Sequence, residues 1–272
     1  MLKLNNLTKR VIAALFGIPL IILFSIVGKI PFLIFALFIG LVSFFEFSKM
    51  LKQRRYLPNL PIGFISITLI ITNAYFQFIE FEKLSLLLIP LLLLSEMFRK
   101  KESAIANLGV TLIGVFYIGL FSASLVKLRE IYSDSFFLYD QGGYLIIALF
   151  SSIWICDSAA YFIGSAFGKH KILTRISPKK SWEGGIAGLF FSVLTMIVFK
   201  HLLLDLLTMQ DAVIIGLIIG LLGQAGDFVE SMIKRDANVK DSSSLIPGHG
   251  GIFDRFDSLL FSSPLIYLYL SF

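Results

Sequence analysis

Apolar residues along this chain come in long unbroken runs, not in the alternation of a half-buried strand or surface helix, and the charges collect in the short segments between them. A helix needs about 20 apolar residues to cross roughly 30 Å of hydrocarbon. Nine runs approach that length, at approximately 11–28, 30–48, 62–79, 84–98, 109–126, 143–167, 184–200, 211–230 and 252–271. The pattern predicts an all-α, polytopic integral membrane protein with about nine transmembrane helices. The fourth run is short and carries Pro90, and its loss would invert everything after it. The first run follows Lys3, Lys9 and Arg10 like a signal peptide, but it is too long for an h-region and lacks a small-x-small cleavage site, so it is read as a retained span.

The charges between the runs divide by side. With the N-terminus inside, the cytoplasmic segments hold Lys3, Lys9, Arg10, Lys49, Lys52, Arg54, Arg55, Arg99, Lys100, Lys101, Lys169, Lys171, Arg175, Lys179, Lys180, Lys234, Arg235 and Lys240, with Arg255 at the edge. The other side holds Lys29, Lys83, Lys127, Arg129 and Lys200. Nine spans, N-in and C-out, produce this positive-inside division, whereas eight or ten would scramble it.

Composition fits the same solvent. The chain is 57% hydrophobic and 15% charged, against about 25% charged in an ordinary soluble domain. Its 28 phenylalanines exceed what a small soluble core would hide. The net charge of +6 lies between apolar runs, which argues against nucleic acid and suits anionic lipid and phosphorylated substrates. A single cysteine, Cys156, excludes a disulfide framework and a Cys-based metal site, and three histidines make zinc a poor expectation. The runs within residues 1–142 are nearly featureless and read as scaffold and lipid-facing surface; residues 143–272 collect the chemistry.

Acids appear where lipid should meet none: Asp157 in the sixth run, Asp227 near the end of the eighth, and Asp254 with Asp257 as the ninth begins. Each costs about 2.5–3.5 kcal/mol inside a span, so such groups face a polar cavity. Asp227, Glu230, Ser231 and Lys234 fall at i, i+3, i+4 and i+7 on one helical stripe, extended by Arg235. Asp254 and Asp257 share a face in the same way. Two helices presenting carboxylates suit Mg²⁺, which takes oxygen ligands and bridges carboxylates to substrate phosphates. Between them runs Lys240-Asp241-Ser242-Ser243-Ser244-Leu245-Ile246-Pro247-Gly248-His249-Gly250-Gly251, a candidate phosphate cradle whose glycines allow close backbone approach at a helix N-terminus. A second basic loop spans Gly164 to Gly184. It is no Walker A loop, since three residues separate Gly164 from Gly168 and His170 follows the lysine, but Lys179, Lys180 and Ser181 sit where the next run begins.

The segment Ser231-Met232-Ile233-Lys234-Arg235, then Lys240-Asp241, then Ile246 through Asp257 resembles the signature of the phosphatidate cytidylyltransferases, also called CDP-diacylglycerol synthases. The blocks Asp157–Phe162 and Ser177–Gly184 resemble that family too, with departures at Ser165 and Thr174. The resemblance implies transfer of a cytidylyl group from CTP to phosphatidic acid, giving CDP-diacylglycerol and pyrophosphate, in the inner membrane with the site on its cytoplasmic side. It implies catalytic roles for Asp227, Lys234, Arg235, Asp241, Asp254, Arg255 and Asp257. Substrate contacts fall to Asp157, Lys179, Lys180, Ser181, Ser231, Lys240, His249, Gly250 and Gly251. Mg²⁺, with or without a second cation, is expected on Asp227 and Asp254, helped by Asp241 or Asp257. Expected partners are CTP, phosphatidic acid and membrane lipids, without nucleic acid. The Gly216-x-x-x-Gly220 pair permits close helix packing, within one chain or in a homodimer. A CTP-dependent polyprenol-type lipid kinase and an ion-coupled transporter are the rival readings.

Overall fold

The computed structural model describes residues 6–101, 103–246 and 250–272. Each of the nine apolar runs forms a helix: α1 Asn6–Val27, α2 Lys29–Lys52, α3 Leu60–Phe76, α4 Phe81–Met97, α5 Ala104–Arg129, α6 Tyr139–Phe167, α7 Trp182–Leu202, α8 Met209–Asp236 and α9 Phe253–Ser271. Five of them, α2, α5, α6, α7 and α8, are long and apolar enough to cross a membrane. The chain is a helical multi-pass membrane protein. Helix α4 holds 17 residues around Pro90, about 26 Å at 1.5 Å per residue.

The helices outlast the apolar runs that mark them. Helix α8 was expected to end near residue 230 but continues to Asp236. Residues 231–236 keep helical spacing of polar and apolar groups, so the backbone need not stop where hydrophobicity does. That extra turn and a half carries Lys234 and Arg235. At the other end Thr208 caps the helix, accepting from Asp211 N at 3.1 Å while Asp211 Oδ2 accepts from Thr208 N at 2.7 Å.

One apolar core runs through both halves of the chain, from Phe32 on α2 to Ile266 on α9. Phenylalanines fasten α9 at its centre. Phe256 lies 6.0 Å from both Phe35 of α2 and Phe150 of α6, and Phe253 lies 6.3 Å from Phe47 of α2, all edge-on. Many others face outward, such as Phe16 and Phe190, as expected where lipid is the solvent. Arg129, fully buried at the end of α5, donates to Ser25 O at 2.5 Å, Ile26 O at 2.9 Å and Tyr139 O at 3.2 Å. It thereby satisfies carbonyls at the C-terminal end of α1, which has no further turn to bond them.

Small residues set the helix spacings. Gly216 and Gly220 of α8 lie against Val193, Leu189 and Ser192 of α7, and Ser192 Oγ donates to Gly216 O at 2.9 Å, so this pair is used within the chain. Gly164, Gly168 and Gly184 do the same for α6 and α7: Gly164 meets Gly184, and Gly168 meets Ser181. Just beyond a π-helical turn at Ile219–Gly223, Gly226 faces α9. A Cβ there would stand 2.6 Å from Phe261 Cβ and 2.8 Å from Asp257 O. Gly226→Ala therefore pushes α8 from α9 and is expected to destabilise the fold by about 1–3 kcal/mol. Thermal unfolding in detergent reads this as a lowered midpoint; an unchanged midpoint would mean the two helices are not in contact there.

Candidate active site

Helices α8 and α9, pressed together at Gly226, bring three acids to one place. Ligand oxygens of Asp227, Glu230 and Asp257 lie within 4.8 Å of one another. Asp227 and Glu230 are one turn apart on α8, and Asp257 meets them from α9. Like charges so close repel strongly in a low-dielectric setting, so counter-charge must be near. Two lysines supply part of it. Lys180, from the segment between α6 and α7, forms an ion pair with Asp227 and lies 4.4 Å from the Phe228 ring centre. Lys234, one turn past Glu230, lies 2.5 Å from Glu230 Oε2 and 2.8 Å from Asp254 Oδ1.

Glu230 is 1% exposed, and among the described residues its Oε1 has no hydrogen-bond partner. A buried carboxylate oxygen without a donor is costly unless something positive completes it. Asp257 is also buried and accepts Ser258 N at 2.7 Å. Asp157 on α6 and Arg255 on α9 are exposed, and Asp157 is within electrostatic range of Arg255, Asp227 and Lys180. The acids thus form the floor and the exposed groups the rim of one charged site.

Asp254 stands outside the group of three. Its Oδ2 accepts Gly251 N at 2.7 Å, Ser242 N at 3.0 Å and Ser242 Oγ at 2.9 Å, with Lys234 on the other oxygen. This carboxylate holds the loop between α8 and α9. Gly250 takes a left-handed φ of 84° to pass over it, and a side chain there would strike Asp254. The Gly251 N–H offered to the expected phosphate cradle is committed to Asp254. Lys240 and Asp241 are exposed on the same loop; His249 lies outside the described residues.

The remaining expected residues are distributed around this centre. Ser231 is half-buried on the stripe, and Lys179 is exposed beside Lys180. Ser181 caps α7, its Oγ accepting from Gly184 N at 3.3 Å. Arg235 turns away, donating to Ile176 O and Val239 O, both at 3.3 Å.

Comparison with known proteins decides the family. The family model described as "Cytidylyltransferase family" matches residues 8–272. The chain belongs to the cytidylyltransferase family. It is 32% identical to the phosphatidate cytidylyltransferase of Bacillus subtilis (strain 168), with 98% of each chain covered. It is also 32% identical to that of Synechocystis sp., over 97% of this chain and 96% of the relative. With the Haemophilus influenzae enzyme of the same name the likeness is 43% over 53% of this chain and 51% of the relative.

Two acids in this cytidylyltransferase-family chain escaped the residue-by-residue expectations. Glu230 was placed on the stripe but given no role, although its i+3 spacing from Asp227 marked it. Glu46 was passed over altogether. It sits on α2, in a run taken as featureless scaffold, and is 2% exposed. Its carboxylate accepts four donors from the α8–α9 loop and the start of α9: Ser243 Oγ at 2.5 Å, Ser242 Oγ at 3.1 Å, Ile252 N at 3.1 Å and Phe253 N at 2.8 Å. An N-terminal half thus caps the first turn of the helix that carries Asp254 and Asp257. An acid inside an apolar run was the available signal, the same one that picked out Asp157.

Replacing Glu46 by Gln keeps the shape but turns an NH₂ toward donors that need acceptors. Charge-assisted bonds contribute about 1.5–3 kcal/mol each, so amide exchange at Ile252 and Phe253 is expected to accelerate at least tenfold. Hydrogen exchange with peptide-level mass readout checks this; unchanged protection would remove Glu46 from the clamp.

Proposed function

We propose that this protein transfers the cytidylyl group of CTP to phosphatidic acid, releasing pyrophosphate and leaving CDP-diacylglycerol in the membrane. The observation that carries the reading is the convergence of Asp227, Glu230 and Asp257, one oxygen unpartnered among the described residues, at a site that Lys180 borders through Asp227 and Arg255 through Asp157. Near-full-length likeness to phosphatidate cytidylyltransferases supports it independently.

Phosphoryl chemistry of this kind needs positioning and charge neutralisation more than covalent help. A phosphate monoester is largely ionised near neutral pH, its second pKa being about 6, so the lipid phosphate is its own nucleophile and no strong general base is required. Its oxygen forms a bond to the α-phosphorus of CTP as the bond from that phosphorus to the bridging oxygen of pyrophosphate breaks. Lys180 and Arg255 neutralise phosphate charge at the rim, and exposed Lys179 and Lys240 add to that field. Lys234 is committed to Glu230 and Asp254 and acts on the acids rather than on substrate.

The residues present fit a divalent cation. Three carboxylates, with one oxygen lacking a donor among the described residues, form a hard, oxygen-only set suited to Mg²⁺. Asp227, Glu230 and Asp257 would hold it, and when bound it supplies positive charge against the phosphates. Asp254 then serves as the clamp that sets Lys234 and the loop, a different duty from the ligand role expected of it.

We place all nine helices across the membrane, N-terminus inside and C-terminus outside. The ends of α2 and α8 and the α8–α9 loop then share the cytoplasmic face of the cell membrane, where CTP is available. The positive-inside distribution of lysine and arginine supports that orientation.

Purified protein given CTP, phosphatidate and Mg²⁺ is expected to yield CDP-diacylglycerol and pyrophosphate in equal amounts. Asp257→Asn should lower turnover by about 10–100-fold, the scale of losses seen when metal-site geometry is disturbed. Lipid phosphorylation with release of CDP would instead establish the kinase reading, and no consumption of CTP by folded protein would reject both.

A further inference from the structure

On the side of α8 away from the acids lies a cavity of about 510 Å³, between the ends of α2 and α8, the start of α5 and the segment before α7. At 3.6 residues per turn, Met232, Arg235 and Asp236 fall roughly opposite the stripe of Asp227, Glu230 and Lys234. Three guanidinium groups, Arg54, Arg175 and Arg235, line the cavity against one carboxylate, Asp236, leaving two positive charges in excess. Arg54 and Arg235 are anchored by carbonyls: Arg54 Nε donates to Asp236 O at 2.5 Å, and Arg235 donates to Ile176 O and Val239 O. Arg175 is exposed, and among the described residues it has no hydrogen-bonded or ion-paired partner. The rest of the wall is apolar. Ile113 of α5 and Met232 are 55% and 45% exposed, so hydrocarbon can lie along them while a head group reaches the arginines.

We infer that this cavity is an accessory site for a phosphomonoester lipid, distinct from the reacting centre. Arginine forks match phosphate oxygens, and a phosphomonoester carries about −1.5 to −2 charge at pH 7, which balances the excess here; a phosphodiester head group carries only one charge. A nucleotide would not explain the outward-facing apolar wall. The site also has a route to the chemistry. Arg175 and Ile176 belong to the segment that carries Lys180 to Asp227, and Arg235 already holds Ile176 O. A phosphate shared by Arg175 and Arg235 ties that segment to α8 and steadies Lys180 on the acids. The choice of phosphatidate as the natural lipid rests on the transferase reading above; a second copy of the substrate lipid then acts as an activator.

Native mass spectrometry of the full-length, detergent-solubilised protein without CTP tests this, with dioctanoyl phosphatidate as the probe. The wild type is expected to hold two equivalents, and Arg175→Gln to weaken one of them at least tenfold. Dioctanoyl phosphatidylglycerol, a diester, should compete for that equivalent at least tenfold less well. In turnover, the wild type is expected to depend sigmoidally on phosphatidate and Arg175→Gln hyperbolically. Two equivalents held equally by wild type and variant, equal competition by the diester, or a hyperbolic dependence on phosphatidate in the wild type would each overturn the proposal. A wild type that binds two lipids but makes no CDP-diacylglycerol would reject the transferase reading and leave the lipid site standing.

Discussion

Mutual repulsion among Asp227, Glu230 and Asp257 is the constraint around which the second half of this protein is built. Their oxygens are packed within 4.8 Å, two of the three are buried, and the surroundings are hydrocarbon and helix. Separating such charges would be the easier arrangement, and a broader residue than Gly226 would do it. Glycine at that position lets α8 and α9 touch, so proximity is imposed by backbone packing and compensated by Lys180 at one end and Lys234 at the other. The compensation is incomplete, because Glu230 Oε1 remains without a donor among the described residues. A site held together against its own charge in this way is preorganised for a cation and for the phosphates that accompany it.

Keeping α9 in place falls to residues far from it in sequence. Glu46 on α2 accepts both N–H groups at the start of α9 together with two serine hydroxyls, and Asp254 binds the same loop from within. Ser242 Oγ lies between the two carboxylates, 3.1 Å from Glu46 and 2.9 Å from Asp254, with one proton to share. Phenylalanine contacts from α2 and α6 hold the next turn. The first half of the chain therefore sets the geometry of chemistry that belongs to the second.

Much of the fold was legible because lipid imposes a simple rule: each apolar run of sufficient length became a helix near its expected place. Helix ends were not, since α8 and α2 continue as amphipathic turns that hydrophobicity alone does not mark. In the site, the stripe from Asp227 to Lys234 was readable from spacing, whereas spacing put Asp254 and Asp257 on one face alike and did not single out Asp257. Glu230 needed a partner helix to reveal its role, and Glu46 needed contacts spanning some two hundred residues, which no local pattern records. Gly164, Gly168 and Gly184, whose spacing already set them apart from a Walker A loop, pack α6 on α7, and Ser181 caps α7. Arg235 follows Lys234 in the chain, but one residue along a helix is a 100° turn, which carries it to the other side.

Which carboxylates hold the cation separates this arrangement most directly from one built on Asp227 with Asp254. Electron paramagnetic resonance of Mn²⁺, displaceable by Mg²⁺, reads occupancy in the solubilised protein without substrates. Bound Mn²⁺ is expected in the wild type and in Asp254→Asn, and it should fall at least tenfold in Glu230→Gln. Binding lost in Asp254→Asn and retained in Glu230→Gln would contradict the three-carboxylate site.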